Sequence, residues 1–400
     1  MNILIVGLGG VTRTFRHWPE RVVALALRQR GHTVWAIGTH DPRRPALATR
    51  HEQIDGVDVV RVASAYWPNL RLSWALRRIP RPDVIHLYHP RNVLAAQTTA
   101  WALRHRIPTV YTWLGPFHDA YATPDRERPY EVAPTFERLA FTRRAALRQL
   151  LLERRPRDVL RNYRLHWPLR AATALAPCSH FEAEVMRRFG LAQPQAVVPL
   201  WIDRPFIQGV APRPPDDAYP RPWILFVGQM TPRKGYDLAL RALPAVVDAY
   251  PQASLLIVSG LNQAQREHML DLARQLGVAQ HVHMLGYLSD DDLVNLYRAC
   301  DAFLFPTRFE GFGLPLLEAM AAGCPPITTD IPVVNEIVQD GDNGLLVPYG
   351  DVEALARATM RLLGDARLRQ RLREGGQRTL DLRYDEGALV ARLEALYRAA

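Results

Sequence analysis

Residues Phe305 to Asp330 read FPTRFEGFGLPLLEAMAAGCPPITTD. This stretch predicts a buried strand ending at Phe305, a glycine-bearing loop, and a helix that stops at Gly323. Gly311 and Gly313 let backbone N–H groups approach a ligand closely. Pro315 suits the first helical position, where no N–H partner is needed. Glu310 and Glu318 bracket the loop and the helix start, with Glu318 expected in the first turn. A strand-to-helix turn of this kind offers unpaired donors and the positive end of a helix dipole, which suits a phosphate. The two carboxylates add acceptors that suit sugar hydroxyls. The pattern points to a sugar joined to a phosphate.

Outward from this stretch the same strand–helix rhythm repeats. In the second half strands are expected at residues 223–227, 254–259, 282–285, 302–305 and 326–329. In the first half they are expected at 2–6, 33–37, 57–62, 84–87, 109–112 and 171–176, with a helix over 15–30 that Gly31 stops. Alternation of this sort is the mark of a parallel sheet in an α/β protein. A chain of 400 residues suits two domains of about 200 residues each. Residues 204–222 contain Pro205, Gly209, Pro212, Pro214, Pro215, Pro220 and Pro222, a density read as a linker that sustains neither helix nor central strand. The expected division is 1–203, the linker 204–222, 223–384, and a last helix within 385–400 that packs back on the first domain. In doubly wound sheets ligands sit beyond the carboxyl ends of the strands, so a cleft between the two domains is the expected site.

Bulk properties narrow the function. Hydrophobic residues make up 48% and charged residues 22%, as in ordinary globular proteins. No basic-then-apolar leader and no apolar run near ~18 residues is seen, which argues against a spanning segment and for a cytoplasmic protein. Cys178, Cys300 and Cys324 are widely spaced and offer neither a disulfide framework nor metal-ligand spacing. The net charge of +10 invites nucleic acid, anionic lipid or a phosphorylated substrate. No zinc-finger spacing or aromatic RNA-binding signature accompanies it, so nucleic acid is set aside.

Several further groups carry chemistry. Lys234 lies in the loop Phe226-Val-Gly-Gln-Met-Thr-Pro-Arg-Lys-Gly235, after a strand and before a helix opening at Tyr236. Its ammonium there can reach a diphosphate. Gly9 and Gly10 in the first strand-to-helix turn permit close approach of a ligand, although tight turns use such pairs too. His86, His89, His118 and Asp119 lie at or after strand ends and are candidates to line the cleft, or are structural. Residues 138–170 hold ten arginines against Glu153 and Asp158, with Leu139, Phe141, Leu147, Leu150 and Leu151 interleaved. That composition reads either as a basic amphipathic helix on an anionic membrane surface or as a solvated arginine-rich face. Ser289-Asp290-Asp291-Asp292 reads as a helix start rather than a metal cluster, and no bound metal is expected.

Together these motifs resemble the retaining glycosyltransferases of family 4, which have the GT-B fold of two Rossmann-like domains. The resemblance is carried by Val227-Gly228…Lys234-Gly235, Gly286-Tyr-Leu-Ser-Asp, Tyr297-Arg-Ala-Cys-Asp-Ala-Phe-Leu-Phe-Pro-Thr, Glu310-Gly-Phe-Gly-Leu-Pro-Leu-Leu-Glu318 and Asp340-Gly-Asp-Asn-Gly-Leu-Leu-Val-Pro. In the first half Gly9-Gly10, Asp83-Val-Ile-His86 and Ser179-His-Phe-Glu182 match more loosely. The resemblance implies a nucleotide-sugar donor (UDP-, GDP- or ADP-sugar), no cofactor, and transfer to a hydroxyl of a glycan, glycolipid or small molecule bound by the first domain. It implies that Glu318 holds the ribose hydroxyls, Lys234 the diphosphate, and Glu310 with the backbone of Gly311, Phe312 and Gly313 the donor sugar. Leu314 falls in the same loop, and the backbone at Tyr287 and Leu288 meets the base. Glu310, Lys234 and His118 are the expected catalytic groups.

Three positions depart from the family pattern. Gln229 stands where arginine is usual, so a neutral bond of ~0.5–1.5 kcal/mol replaces a charged one of ~1.5–3 kcal/mol unless Arg233 or an arginine of the first domain compensates. Leu114 replaces the first-domain histidine, so either His118 takes that role or the contact is absent. Leu200-Trp201 replaces the usual Asn-Gly before Ile202-Asp203. These departures keep two alternatives open: a non-catalytic sugar-nucleotide-binding homologue, and a sugar-nucleotide epimerase on the same fold.

Overall fold

The computed structural model describes residues 1–63, 69–90, 92–114, 142–152, 156–188, 190–213, 218–260 and 263–400. Two units result: one drawn from Met1–Trp201 together with Asp385–Ala400, the other Ile202–Tyr384.

The first unit is built on strands β1 (Asn2–Val6), β2 (Thr33–His40), β3 (His51–Ile54), β4 (Val57–Ala63), β5 (Val84–Tyr88), β6 (Thr109–Thr112) and β7 (Ala174–Leu175). They lie in the order β3-β4-β2-β1-β5-β6-β7. All neighbouring pairs are parallel except β3–β4, a hairpin turned at Asp55-Gly56 with both residues at positive φ, the geometry such two-residue turns require. Sequence reading missed β3: His51-Glu52-Gln53-Ile54 buries only its last residue, so no apolar run announces an edge strand. It also overextended the strand expected at 171–176. The chain is helical over Trp167–Ala171, with Pro168 in the first turn, and only Ala174–Leu175 pair. The first helix begins at Pro19 rather than at Phe15, because proline presets the first turn and Phe15 sits at φ 56°. β1 is fully buried after Asn2, and helices cover both faces of the sheet, as parallel sheets require.

The last helix, Glu386–Ala399, belongs to this unit. Leu389, Val390, Leu393, Leu396 and Tyr397 enter the core formed with Val22, Val23, Ala26 and Leu27 of the first helix. Glu394 receives hydrogen bonds from Arg30 at 2.8 and 3.1 Å, with the His32 ring at 2.9 Å.

The second unit has six parallel strands: β8 (Trp223–Val227), β9 (Ser254–Val258), β10 (Val282–Gly286), β11 (Ala302–Phe305), β12 (Pro326–Thr329) and β13 (Leu345–Val347). Their order is β10-β9-β8-β11-β12-β13. The connectivity runs outward from β8 in one direction and then from β11 in the other. This is the doubly wound order, with its topological switch point between β8 and β11. Leaving aside the hairpin strand β3, the first unit follows the same rule, with its switch point between β1 and β5.

The proline-rich stretch after residue 203 is not wholly irregular. Arg204–Gly209 is a helix of the second unit. Asp203 caps it by accepting from the Phe206 N–H at 3.1 Å, and Pro205 falls in the first turn, where proline is tolerated. Arg298 donates to the Ile207 and Val210 carbonyls at 2.6 and 2.8 Å and ties it down. None of the described helices is long and apolar enough to cross a membrane.

Candidate active site

Loops after β8 and β11 leave the sheet of the second unit side by side, because these two strands pair directly. After β8 the chain runs through Gly228, makes a tight turn at Pro232–Lys234, and enters the helix Tyr236–Ala249 through Gly235 at φ 70°. Gly235 packs so closely on the loop after β11 that an added Cβ would lie 1.9 Å from the Pro306 carbonyl oxygen. Both its dihedral and its clearance admit only glycine.

This contact brings Lys234 to Glu310. The Lys234 ammonium donates to Glu310 Oε1 at 2.5 Å, Arg233 Nη1 to the same oxygen at 3.2 Å, and the Thr307 hydroxyl at 2.9 Å. Arg233 also donates to the Phe309 carbonyl at 3.3 Å. Burial works to raise the Glu310 pKa, but the charges of Lys234 and Arg233, with hydrogen bonds from Lys234 and Thr307, outweigh it. The carboxyl is held below its ordinary range and remains ionised. Behind this cluster Arg308 makes a two-pronged bond to Asp237 at 2.8 and 2.7 Å, with both side chains almost fully buried. Arg308 N also donates to the Arg233 carbonyl at 2.7 Å. The Asp237–Arg308 pair thus locks the second loop to the first helix turn after Gly235. Sequence reading did not find this pair, or Thr307; an arginine and an aspartate 71 positions apart carry no local signal.

The helix after β11 spans Leu314–Ala322, entered through Gly313 at φ 114° and left through Gly323 at φ 79°. Pro315 is its second residue, and Glu318 its fifth, so Glu318 lies in the second turn rather than the first. The Tyr297 hydroxyl donates to Glu318 Oε2 at 3.3 Å. Gly311 and Leu314 are half-buried beside it, while Phe312 is buried against Tyr384. Gln229 is exposed on the first loop. Tyr287, 79% exposed, lies over Gly260, where a Cβ would meet its ring at 2.1–2.2 Å. Leu288 is half-buried and helps line a largely apolar cavity of about 470 Å³ with Leu256, Leu285, Leu296 and Trp223. That cavity lies away from Lys234 and Glu310, neither of which lines it. Ser289 caps the helix Asp290–Ala299 by accepting from the Asp292 N–H at 3.1 Å.

In the first unit the sequence-derived candidates fare differently. His86 is buried in the middle of β5. Its Nδ1 is 2.6 Å from the Tyr397 hydroxyl and its Nε2 2.8 Å from Thr112 Oγ1. Burial pushes its pKa down to about 3, so it stays neutral. It is a core residue joining β5, β6 and the last helix, not a group facing a ligand. His89 follows β5 at φ 55° and is half-buried, and its carbonyl accepts from Asn92. His118 and Asp119 lie outside the described residues. Gly9 and Gly10 form the expected turn, but the turn is already filled. The Glu20 carboxyl packs on Gly7 and the Trp18 ring on Gly9, so tightly that a Cβ at either position would clash. Glu20 was not singled out from sequence, because the loop through Trp18 separates it from the glycines.

Comparison with known proteins shows the family and the fold. Residues 215–379 match the family model "Glycosyl transferases group 1", and residues 9–204 match "Glycosyltransferase Family 4". The chain is similar to the O-antigen chain mannosyltransferase B of Escherichia coli, with 30% identity over 310 residues and 74% of each chain covered. It is also similar to a phosphatidyl-myo-inositol mannosyltransferase of Mycobacterium leprae, with 34% identity over 45% of this chain and 47% of that protein. The chain spans about half the length of the first curated relatives it matches. Among solved structures, sucrose-phosphate synthase from Thermosynechococcus elongatus superposes with a TM-score of 0.73 at 21% identity, covering 100% of this chain and 98% of that one. Anabaena Alr3699/HepE in complex with UDP-glucose gives 0.72 at 17%, covering 100% of both. With its two doubly wound units and both family models matched in order, the chain belongs to glycosyltransferase family 4 and has the GT-B fold.

Proposed function

We propose that the protein is a retaining, metal-independent enzyme that moves a sugar from a nucleotide-sugar donor to a hydroxyl of a glycan or glycolipid. The observation that carries this is the convergence of Lys234, Arg233 and Thr307 on Glu310 at the switch point of the second unit. Doubly wound sheets bind their ligands at that place. A diphosphate arriving there competes with Glu310 for the two cations, which are fixed in place before it arrives. Negative charge on the departing diphosphate is then met by Lys234, Arg233 and loop N–H groups rather than by a metal ion. In this reading Arg233 supplies the charge that Gln229 lacks. Released from the cations, Glu310 and the backbone of Gly311, Phe312 and Gly313 hold the sugar, Glu318 the ribose, and Tyr287 and Leu288 the base. The acceptor is assigned to the first unit. The UDP-glucose complex of the Anabaena neighbour supports a nucleotide-sugar donor of the UDP-sugar kind, with GDP- and ADP-sugars remaining in the test panel.

Peripheral contact with an anionic membrane at the cytoplasmic face belongs to the same proposal. Among its described residues the basic segment forms separate short helices, Arg143–Leu152, Pro156–Leu165 and Trp167–Ala171. Leu147, Leu151 and Leu160 are exposed on them, beside exposed Arg143, Arg144, Arg148, Arg157 and Arg164. Apolar side chains amid cations suit an anionic lipid surface.

Transfer assays across donor sugars test the site. Glu310→Ala and Lys234→Ala are each expected to lower kcat/KM by roughly a hundredfold or more, as loss of a charge-assisted contact to the reacting groups implies. Unchanged turnover in both variants would show the site lies elsewhere.

A further inference from the structure

Lys234 sits in a segment that one residue of the neighbouring loop holds at both ends. On one side of Lys234, the Arg308 N–H donates to the Arg233 carbonyl at 2.7 Å. On the other side, the Arg308 guanidinium donates to both carboxylate oxygens of Asp237 at 2.8 and 2.7 Å. Between these grips Gly235 rests on the Pro306 carbonyl, and Thr307 Oγ1 lies 3.1 Å from the Arg233 carbonyl oxygen. Residues 306–308 thus engage 233, 235 and 237 along the segment that carries the ammonium. The Arg308 and Asp237 side chains are 1% and 4% exposed, too deep to meet a ligand themselves. A buried ion pair is a weak source of net stability, because taking two charges out of water opposes their attraction. What a two-pronged arginine–carboxylate pair does supply is one fixed geometry. Lysine needs that from its surroundings, since its ammonium is a point charge on a flexible four-carbon stem.

We propose that Arg308 and Asp237 are positioning residues for Lys234: by clamping both ends of the segment that bears it, they hold its ammonium where the donor diphosphate arrives. The proposal rests on the reading of this site as the donor site, and adds that its lysine is aimed by a buried pair that does not touch the donor. Loosening the clamp lets Lys234 leave its place, so the cost in affinity runs through Lys234.

The test is a double-mutant cycle on the full-length protein, read by calorimetric binding of UDP, GDP and ADP, which needs no acceptor. Its members are wild type, Lys234→Ala, Asp237→Asn and the two substitutions combined. For whichever diphosphate wild type binds most tightly, Lys234→Ala should raise Kd at least roughly tenfold, the loss of a charge-assisted bond. Asp237→Asn should raise Kd roughly tenfold in the wild-type background but less than about threefold in Lys234→Ala, as residues acting through one another do. If the stranded Arg308 charge prevents folding, Asp237→Asn combined with Arg308→Gln, which leaves no unpaired buried charge, takes the place of Asp237→Asn in the cycle. Equal losses in both backgrounds would show a merely structural pair and overturn the proposal, whatever the unfolding midpoints. Unchanged affinity in the folded variant would overturn it too. The donor reading fails separately: if Lys234→Ala binds as tightly as wild type, or wild type binds none of the three, that reading falls and takes the positioning role with it.

Discussion

Gly235 and Glu20 show how much hangs on single residues. Gly235 combines a positive φ with a 1.9 Å clearance to the Pro306 carbonyl oxygen. Gly235→Ala therefore strains the backbone and pushes the two site loops apart. Left-handed strain alone costs about 1–3 kcal/mol. We expect a lowered unfolding midpoint together with weakened donor binding; an alanine variant with wild-type stability and affinity would contradict the packing described. Glu20 makes a prediction about pH. Burial, opposed by the glycine N–H bonds, pushes its pKa from 4.5 up to about 7. A raised folded-state value means that the stability it contributes is whole below about pH 4.5 and is lost as pH rises through about 7. Relative to Glu20→Gln, wild type should lose about 3 kcal/mol across that window. The buried neutral His86 also links stability to pH, but it is common to both proteins and cancels. Denaturant titrations of both proteins at either end of the window check this, and a stability difference independent of pH would refute it. The glycines and glutamates of residues 305–330 were legible because their chemistry is local. Glu20 was not, since the loop from Val11 to Trp18 separates it from the glycine turn it packs on, and neither was Asp237, since its partner Arg308 is contributed by another loop.

Among the elements, those with strong apolar runs were readable and those defined by their neighbours were not. β1, β6, β8, β11 and β12 have the bounds that their apolar stretches suggest. β3 and β13 escaped notice because each is a short edge strand, four and three residues long, that exists by pairing with a longer one. The helix Arg204–Gly209 escaped notice because proline argues against a helix interior but not against a first turn, where Pro205 falls. The sequence suggested a last helix packing back on the first domain, and the structure shows which of its side chains are buried there. Leu393 is fully buried in the core of the first unit, and the Tyr397 hydroxyl reaches His86. Leu393→Ala should destabilise that unit by about 2–5 kcal/mol. Tyr397→Phe should cost less, about 1 kcal/mol, for one lost hydrogen bond. Hydrogen exchange should show the loss concentrated in β1 and β5; equal loosening of β8 and β11 would contradict the assignment of this helix to the first unit.

For the whole molecule, the doubly wound class was legible from the alternation of strands and helices, and the family from ordered motifs along the second half. What the sequence did not show is that a carboxylate stands at each switch point, Glu310 held by Lys234 and Arg233 in the second unit and Glu20 packed on Gly7 in the first. The net charge of +10 is a whole-molecule property as well. Binding to anionic vesicles should be measurable at low salt and should weaken sharply as salt rises. Replacing Leu147 and Leu151 by serine should reduce it without altering donor binding. No co-sedimentation with anionic vesicles at low salt would remove the membrane contact from the account.

Donor recognition by the second unit is the claim on which the functional account turns, and thermal unfolding in the presence of UDP-, GDP- and ADP-sugars tests it most directly. At a hundredfold excess over Kd a bound donor stabilises by about 2.7 kcal/mol. One of these donors should raise the midpoint of the wild-type protein, and Lys234→Ala should abolish the rise while keeping the ligand-free midpoint close to wild type or lowering it modestly. No shift with any sugar nucleotide, or an equal shift in Lys234→Ala, would contradict the account.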